Sequence, residues 1–138
     1  MIGPGDQDLV VFSLGQSGSV AKARAATALD SVAQHLIHGG DGLMPLFTPA
    51  FDVSTPDPGY VNSYLPGLRE NAGQYAHAAV WVLMAQAALG DAAQVGAFLD
   101  MLNPIRRSDS RTGMQAYRVE PYVVAAEIYS NAQHARRG

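Results

Sequence analysis

The stretch from Ala76 to Leu89 constrains this chain more than any other. Ala78, Ala79, Val80, Trp81, Val82, Leu83, Met84, Ala85, Ala87 and Ala88 put apolar side chains on nearly every face of a helix. A helix with no polar face is stable only inside a fold or a bilayer. This one holds His77 and Gln86 and falls short of the roughly 20 residues that a bilayer crossing needs. A helix from Gln74 to Leu89 is therefore expected in a protein interior. Gly90 supplies its stop, and Asp91 caps a second helix whose one-sided stripe is Ala92, Val95, Phe98, Leu99 and Leu102. Asn103-Pro104 breaks that helix. The pair reads as an inner and an outer helix joined by a tight turn.

Two more helices follow from the same logic. Between Val20 and Ile37, apolar Ala25, Leu29, Val32, Leu36 and Ile37 recur at helical spacing, with Ser19 as N-cap and Gly39-Gly40 as stop. Pro121 fits the first position of a last helix running to about Tyr129. Between these elements, residues 39–71 carry Pro45, Pro49, Pro56, Pro58 and Pro66 and keep no period, so a long loop is expected. Phe47, Phe51, Tyr60, Tyr64 and Leu65 give it apolar surface with which to pack. A second loop carries Arg106, Arg107, Arg111 and Arg118. Residues 1–19 read as a glycine-punctuated lead-in, and residues 131–138 as a polar tail. The resulting class is all-α, with all-round apolar helices alternating with one-sided ones, as in two concentric layers.

Composition removes several functions. The 138 residues are 48% apolar, enough for one core. Only 15% are charged, the net charge is −3 and the basic residues are scattered, which argues against a nucleic-acid partner. With no cysteine there is no disulfide framework, no thiolate nucleophile and no Cys-ligated zinc. The short run Leu9-Val10-Val11-Phe12 lacks a basic flank and is too brief for a secretory signal, so a soluble, cytoplasmic product without a membrane partner is expected. Gly15-Gln16-Ser17-Gly18-Ser19 lacks the Lys-Ser/Thr of a phosphate loop. His35, His38 and Asp41 have no compact further ligand and read as surface residues, so no metal is expected. The arginines from Arg106 to Arg118, interrupted by Asp109, read as a solvated loop.

The densest polar cluster is Arg69-Glu70-Asn71-Ala72-Gly73-Gln74-Tyr75-Ala76-His77, at the start of the buried helix. A helix N-terminus favours an anion, and an arginine with a histidine in the first turns would complete a phosphate site. The same residues admit a purely structural account, with Asn71 as cap, Glu70 answering the helix dipole and His77 packed in the core.

The run Asp57-Pro58-Gly59-Tyr60, continuing through Tyr64-Leu65-Pro66-Gly67-Leu68-Arg69-Glu70-Asn71 to Gln74-Tyr75-Ala76-His77 and Trp81, resembles the catalytic domain of glycoside hydrolase family 94, formerly glycosyltransferase family 36. Leu46 to Asp52, Leu102-Asn103-Pro104-Ile105 and Tyr117 to Tyr129 resemble further blocks of that family, so that the likeness covers about residues 20–134. The resemblance implies part of an (α/α)6 barrel, an arc of about four helices. It also implies inverting phosphorolysis of a β-linked glucan or oligosaccharide, with inorganic phosphate as co-substrate and no cofactor. By the same resemblance His77 is phosphate-binding, Arg69 lies near the acceptor sugar, and Glu70, Gln74, Tyr75 and Glu120 match positions around the sugar pocket.

The departures matter as well. Ala72 replaces a family glycine and Ala76 a family threonine. The family's general acid is an aspartate in an Asp-Trp-Asn-Asp-Gly segment, which nothing here matches, since Asp41-Gly42 lacks the neighbouring Trp-Asn. A Thr-Gly-Ser phosphate loop is also missing. No catalytic residue is therefore assigned, and the chain is expected to be inactive alone. A non-catalytic helical module that binds carbohydrate, or that assembles with the rest of a split barrel or with itself, is the alternative.

Overall fold

A computed structural model describes residues 22–37, 42–52 and 57–130 of the chain. The lead-in with Ser19, the Gly39-Gly40 stop, His38, Asp41 and the tail after residue 130 lie outside the described residues. The fold is all-α: an arc of helices joined by long connections, the architecture of part of an α/α barrel.

Helix α1 (Lys22–His35) buries Ala25, Leu29 and Val32, and Leu36 follows them inward. Helix α2 (Ala76–Leu89) buries Ala79, Val82 and Ala85 at intervals of three, and α3 (Ala92–Leu102) contributes Phe98. Leu29, Val32 and Leu36 join Ala79, Val82, Ala85, Phe98 and Met44 in the main core. The turn between α2 and α3 is made as expected. Gly90 is left-handed, with φ 87°, and its N–H reaches the Gln86 and Ala87 carbonyls, while Asp91 accepts from Gln94 N–H.

Three expectations are corrected. First, α2 is not covered on all sides. Val80 and Met84 are 40% and 44% exposed, because α1 and α3 cover one face only. Second, the arginine-bearing segment is not a plain loop. Asn103 ends α3 and then caps α4 (Pro104–Arg107) by accepting from Ile105 N–H, and Ser110 caps α5 (Arg111–Tyr117) by accepting from Gly113 N–H. Third, no helix starts at Pro121. The Tyr117 hydroxyl donates to the Val123 carbonyl and accepts from Ala125 N–H, drawing that backbone out as an extended strap. Tyr117 and Ala125 join Leu43 and Ile128 in a second, smaller core.

The strap then adds two residues of strand. β1 (Gln74–Tyr75) pairs antiparallel with β2 (Glu127–Ile128), placing Gln74 opposite Ile128 and Tyr75 opposite Glu127. This pairing moves the start of the inner helix from Gln74 to Ala76, whose N–H donates to the Ala126 carbonyl. Among its described residues, the long loop before β1 forms a 3-10 turn at Gly59–Ser63. Of its aromatic residues, Phe47 is buried against Phe51, whereas Tyr60 faces solvent.

Candidate functional site

The segment entering α2 is a chain of tight turns rather than a helix. Asn71 N–H reaches the Leu68 carbonyl, Gly67 N–H the Asn71 carbonyl, and Gly73 N–H the Arg69 carbonyl. Such winding needs left-handed backbone, found at Gly67 (φ 84°), Arg69 (φ 49°) and Ala72 (φ 67°). Arg69 and Ala72 adopt it at a steric cost that glycine would not bear. Gly73 is required for a different reason: a Cβ there would come within 2.6 Å of the Arg69 carbonyl oxygen.

Two buried amides hold this segment to the rest of the molecule. Asn71, fully sealed from solvent, accepts from Phe51 N–H at 2.8 Å and donates to the Phe51 and Tyr64 carbonyls at 2.7 Å each. Its partners fix which end of the amide is which. Asn71 is therefore a clamp between loop strands and not the cap of α2, whose N-cap position is Tyr75 without a side-chain hydrogen bond. Gln74 is 1% exposed, and its Oε1 accepts from Met44 N–H. Its amide oxygen is thus engaged by the protein and shielded from solvent.

The charged members lie on the outside of this clamp. The Arg69 guanidinium stands 3.6 Å from Glu127 Oε1, 3.8 Å from Glu70 Oε2 and 5.3 Å from the Tyr64 ring centroid. Glu70 Oε2 is sealed from solvent without a hydrogen bond, so its only compensation is the loose pairing with Arg69. Tyr75 sits half-buried opposite Glu127 across the strand pair. His77 occupies the first turn of α2 with its side chain exposed and its ring against Trp81, centroids 4.5 Å apart. The core-packed account of His77 is thus excluded. Glu120 lies exposed in the strap, and no described side-chain interaction links it to the Arg69 cluster.

The structure brings together Arg69 and Glu70, adds Glu127 with Tyr75 opposite it in the strand pair, and buries Gln74 next to Tyr75. Sequence reasoning did not single out Glu127, because its place depends on strand register. No group of three or more potential metal ligands occurs among the described residues. A separate depression of about 260 Å³, lined by Gly42, Asp100, Met101, Arg106 and Arg107, shares no residue with the cluster. No helix among the described residues is long and apolar enough to cross a membrane.

A conserved-domain match now joins this geometry: residues 7–138 fit the model of the glycosyl hydrolase 94 superfamily catalytic domain. The chain belongs to that family. Among its relatives, the cyclic beta-(1,2)-glucan synthase NdvB of Rhizobium meliloti (strain 1021) is 44% identical over 122 residues, covering 88% of this chain and 4% of the synthase. The N,N'-diacetylchitobiose phosphorylase of Vibrio furnissii is 30% identical over 106 residues, covering 77% of this chain and 13% of the phosphorylase. The chain thus spans a small part of the length of both relatives. The left-handed φ of Ala72 is one at which glycine would carry no Cβ strain, and nothing in the structure explains the alanine there.

Proposed function

We propose that this chain supplies one wall of a family 94 sugar-and-phosphate cavity, in which a β-linked glucan or oligosaccharide is cleaved by inorganic phosphate to give a sugar 1-phosphate. The observation that carries this reading is the exposed guanidinium of Arg69, displayed above a buried amide clamp at the mouth of α2. Neither of its ion pairs is a hydrogen bond, so its donors are open to ligand oxygens. Arg69, Glu70 and Tyr75 contact sugar hydroxyls, Gln74 holds the strand that bears Tyr75, and Glu120 borders the pocket from the strap. His77 meets phosphate, aided by the positive end of the α2 dipole. Ala76 removes a hydroxyl that the family usually offers nearby, which weakens that contact.

The 138 residues hold no match to the family's general-acid segment or its Thr-Gly-Ser loop. Without a proton donor the leaving sugar oxygen departs as an alkoxide, at a typical cost of about 10²–10⁴ in rate. The residues here therefore bind and do not turn over alone. The exposed Val80 and Met84 face of α2 supports the same reading, since an inner barrel helix has further neighbours. A non-catalytic carbohydrate-binding module is the second reading, favoured by that same lack of an acid.

Titration with inorganic phosphate tests the assignment of His77. His77→Ala is expected to weaken binding while leaving helicity unchanged, because the side chain is exposed. Equal binding by both proteins would remove His77 from the site. Release of sugar 1-phosphate by the chain alone would contradict the binding-only reading.

A further inference from the structure

Arg69 lies between two carboxylates, and one of them is held by a different part of the chain. Glu127 comes from β2, and its backbone is tied to the Arg69 segment on both sides. Tyr75 opposes Glu127, Ala76 N–H donates to the Ala126 carbonyl, and Ser130 N–H donates to the Gly67 carbonyl. Its side chain is 19% exposed against 50% for Arg69, so solvent screens this carboxylate less than a surface one. One guanidinium against two carboxylates leaves the cluster net negative. A third anion brought to Arg69 would meet the field of both, whereas a neutral hydroxyl would not.

We propose that Glu127 is a positioning residue for Arg69, holding the guanidinium beside the Tyr64 ring and making it select neutral, hydroxyl-bearing sugars over anionic ones. This rests on the reading of Arg69 as sugar-facing. At 3.6 Å the carboxylate steers the guanidinium without occupying its donors in a hydrogen bond. The neighbouring Glu70 cannot substitute for it, because it lies on the same turn as Arg69 and meets the guanidinium at Nε, whereas Glu127 meets it at Nη2 and ties it to β2.

The test compares the wild-type chain with Glu127→Gln, Glu127→Asp and the Arg69→Ala/Glu127→Gln double variant. Glucose and glucuronate serve as probes, differing only in oxidation at one carbon, and dissociation constants are taken from NMR titration. Glu127→Gln is expected to shift the glucose-to-glucuronate affinity ratio roughly tenfold toward glucuronate. Glu127→Asp should restore the wild-type ratio, and the double variant should lose the gained glucuronate binding. A merely structural role would weaken both probes together and leave the ratio alone. If wild type binds glucose through Arg69 and Glu127→Gln leaves the ratio unchanged, this inference falls and the sugar reading stands. If wild type binds no glucose but Glu127→Gln gains Arg69-dependent glucuronate binding, Glu127's role stands and the sugar reading falls. If no variant binds either probe, both fall.

Discussion

The α2–α3 hairpin and the turn segment leading into it are neighbours in sequence, yet opposite means hold them in place. The hairpin is held by hydrocarbon: Val82 and Phe98 are almost fully buried, with Leu29, Val32 and Ala79 around them. The turn segment is held by amides, with Asn71 and Gln74 binding backbone of residues 44, 51 and 64. Apolar packing tolerates small shifts, but an amide clamp fixes positions to within a hydrogen bond. It is the second kind of support that lies beneath Arg69, where a binding group needs a defined direction.

This contrast sets what each region should lose on mutation. The largest effect is expected from Phe98→Ala, which opens a cavity in the main core and should cost about 3–5 kcal/mol in urea unfolding. Any ligand binding that survives below the transition should keep its affinity, because the clamp is untouched. Asn71→Ala should cost about 3 kcal/mol, since it strips Phe51 N–H and two carbonyls of their partner. Unlike the core variant, it should also weaken sugar binding in the folded protein. Similar binding losses in both would erase the distinction drawn between the regions.

Gln74→Ala should be milder, about 1–2 kcal/mol, because one buried hydrogen bond from Met44 N–H is lost. The smallest change runs the other way. Ala72→Gly should stabilise by about 1 kcal/mol, as the Cβ no longer resists a left-handed φ of 67°. A loss of stability on this substitution would show that the turn is wound differently.

How much of this was legible in the sequence follows the range of the interactions. Gly90 and Asp91 were legible because their partners lie within four residues. Asn103-Pro104 was half legible: as a stop it was plain, but the same asparagine also starts α4. The strap from Pro121 carries the local signal of a helix start, but Tyr117, behind it in the chain, captures its backbone, and no local signal shows that. Asn71 looked like a cap because asparagine before a helix usually is one, whereas its actual partners lie seven and twenty residues away. Glu127 was invisible as a site residue for the same reason, since only the β1–β2 register brings it to Arg69. The family resemblance assigns Arg69, Glu70 and His77 to a sugar-and-phosphate site, where spacing alone leaves binding and structural roles open.

The central claim is that the surface around Arg69, raised on the amide clamp, receives sugar. Amide chemical-shift mapping tests it most directly, with a β-linked glucose disaccharide titrated into the wild-type chain and into Arg69→Ala. The expected result is a cluster of perturbations at Tyr64, Arg69, Glu70, Tyr75 and Glu127 that disappears in the variant. Perturbations confined to the depression around Gly42, Asp100 and Arg107, or a pattern unchanged by Arg69→Ala, would contradict it.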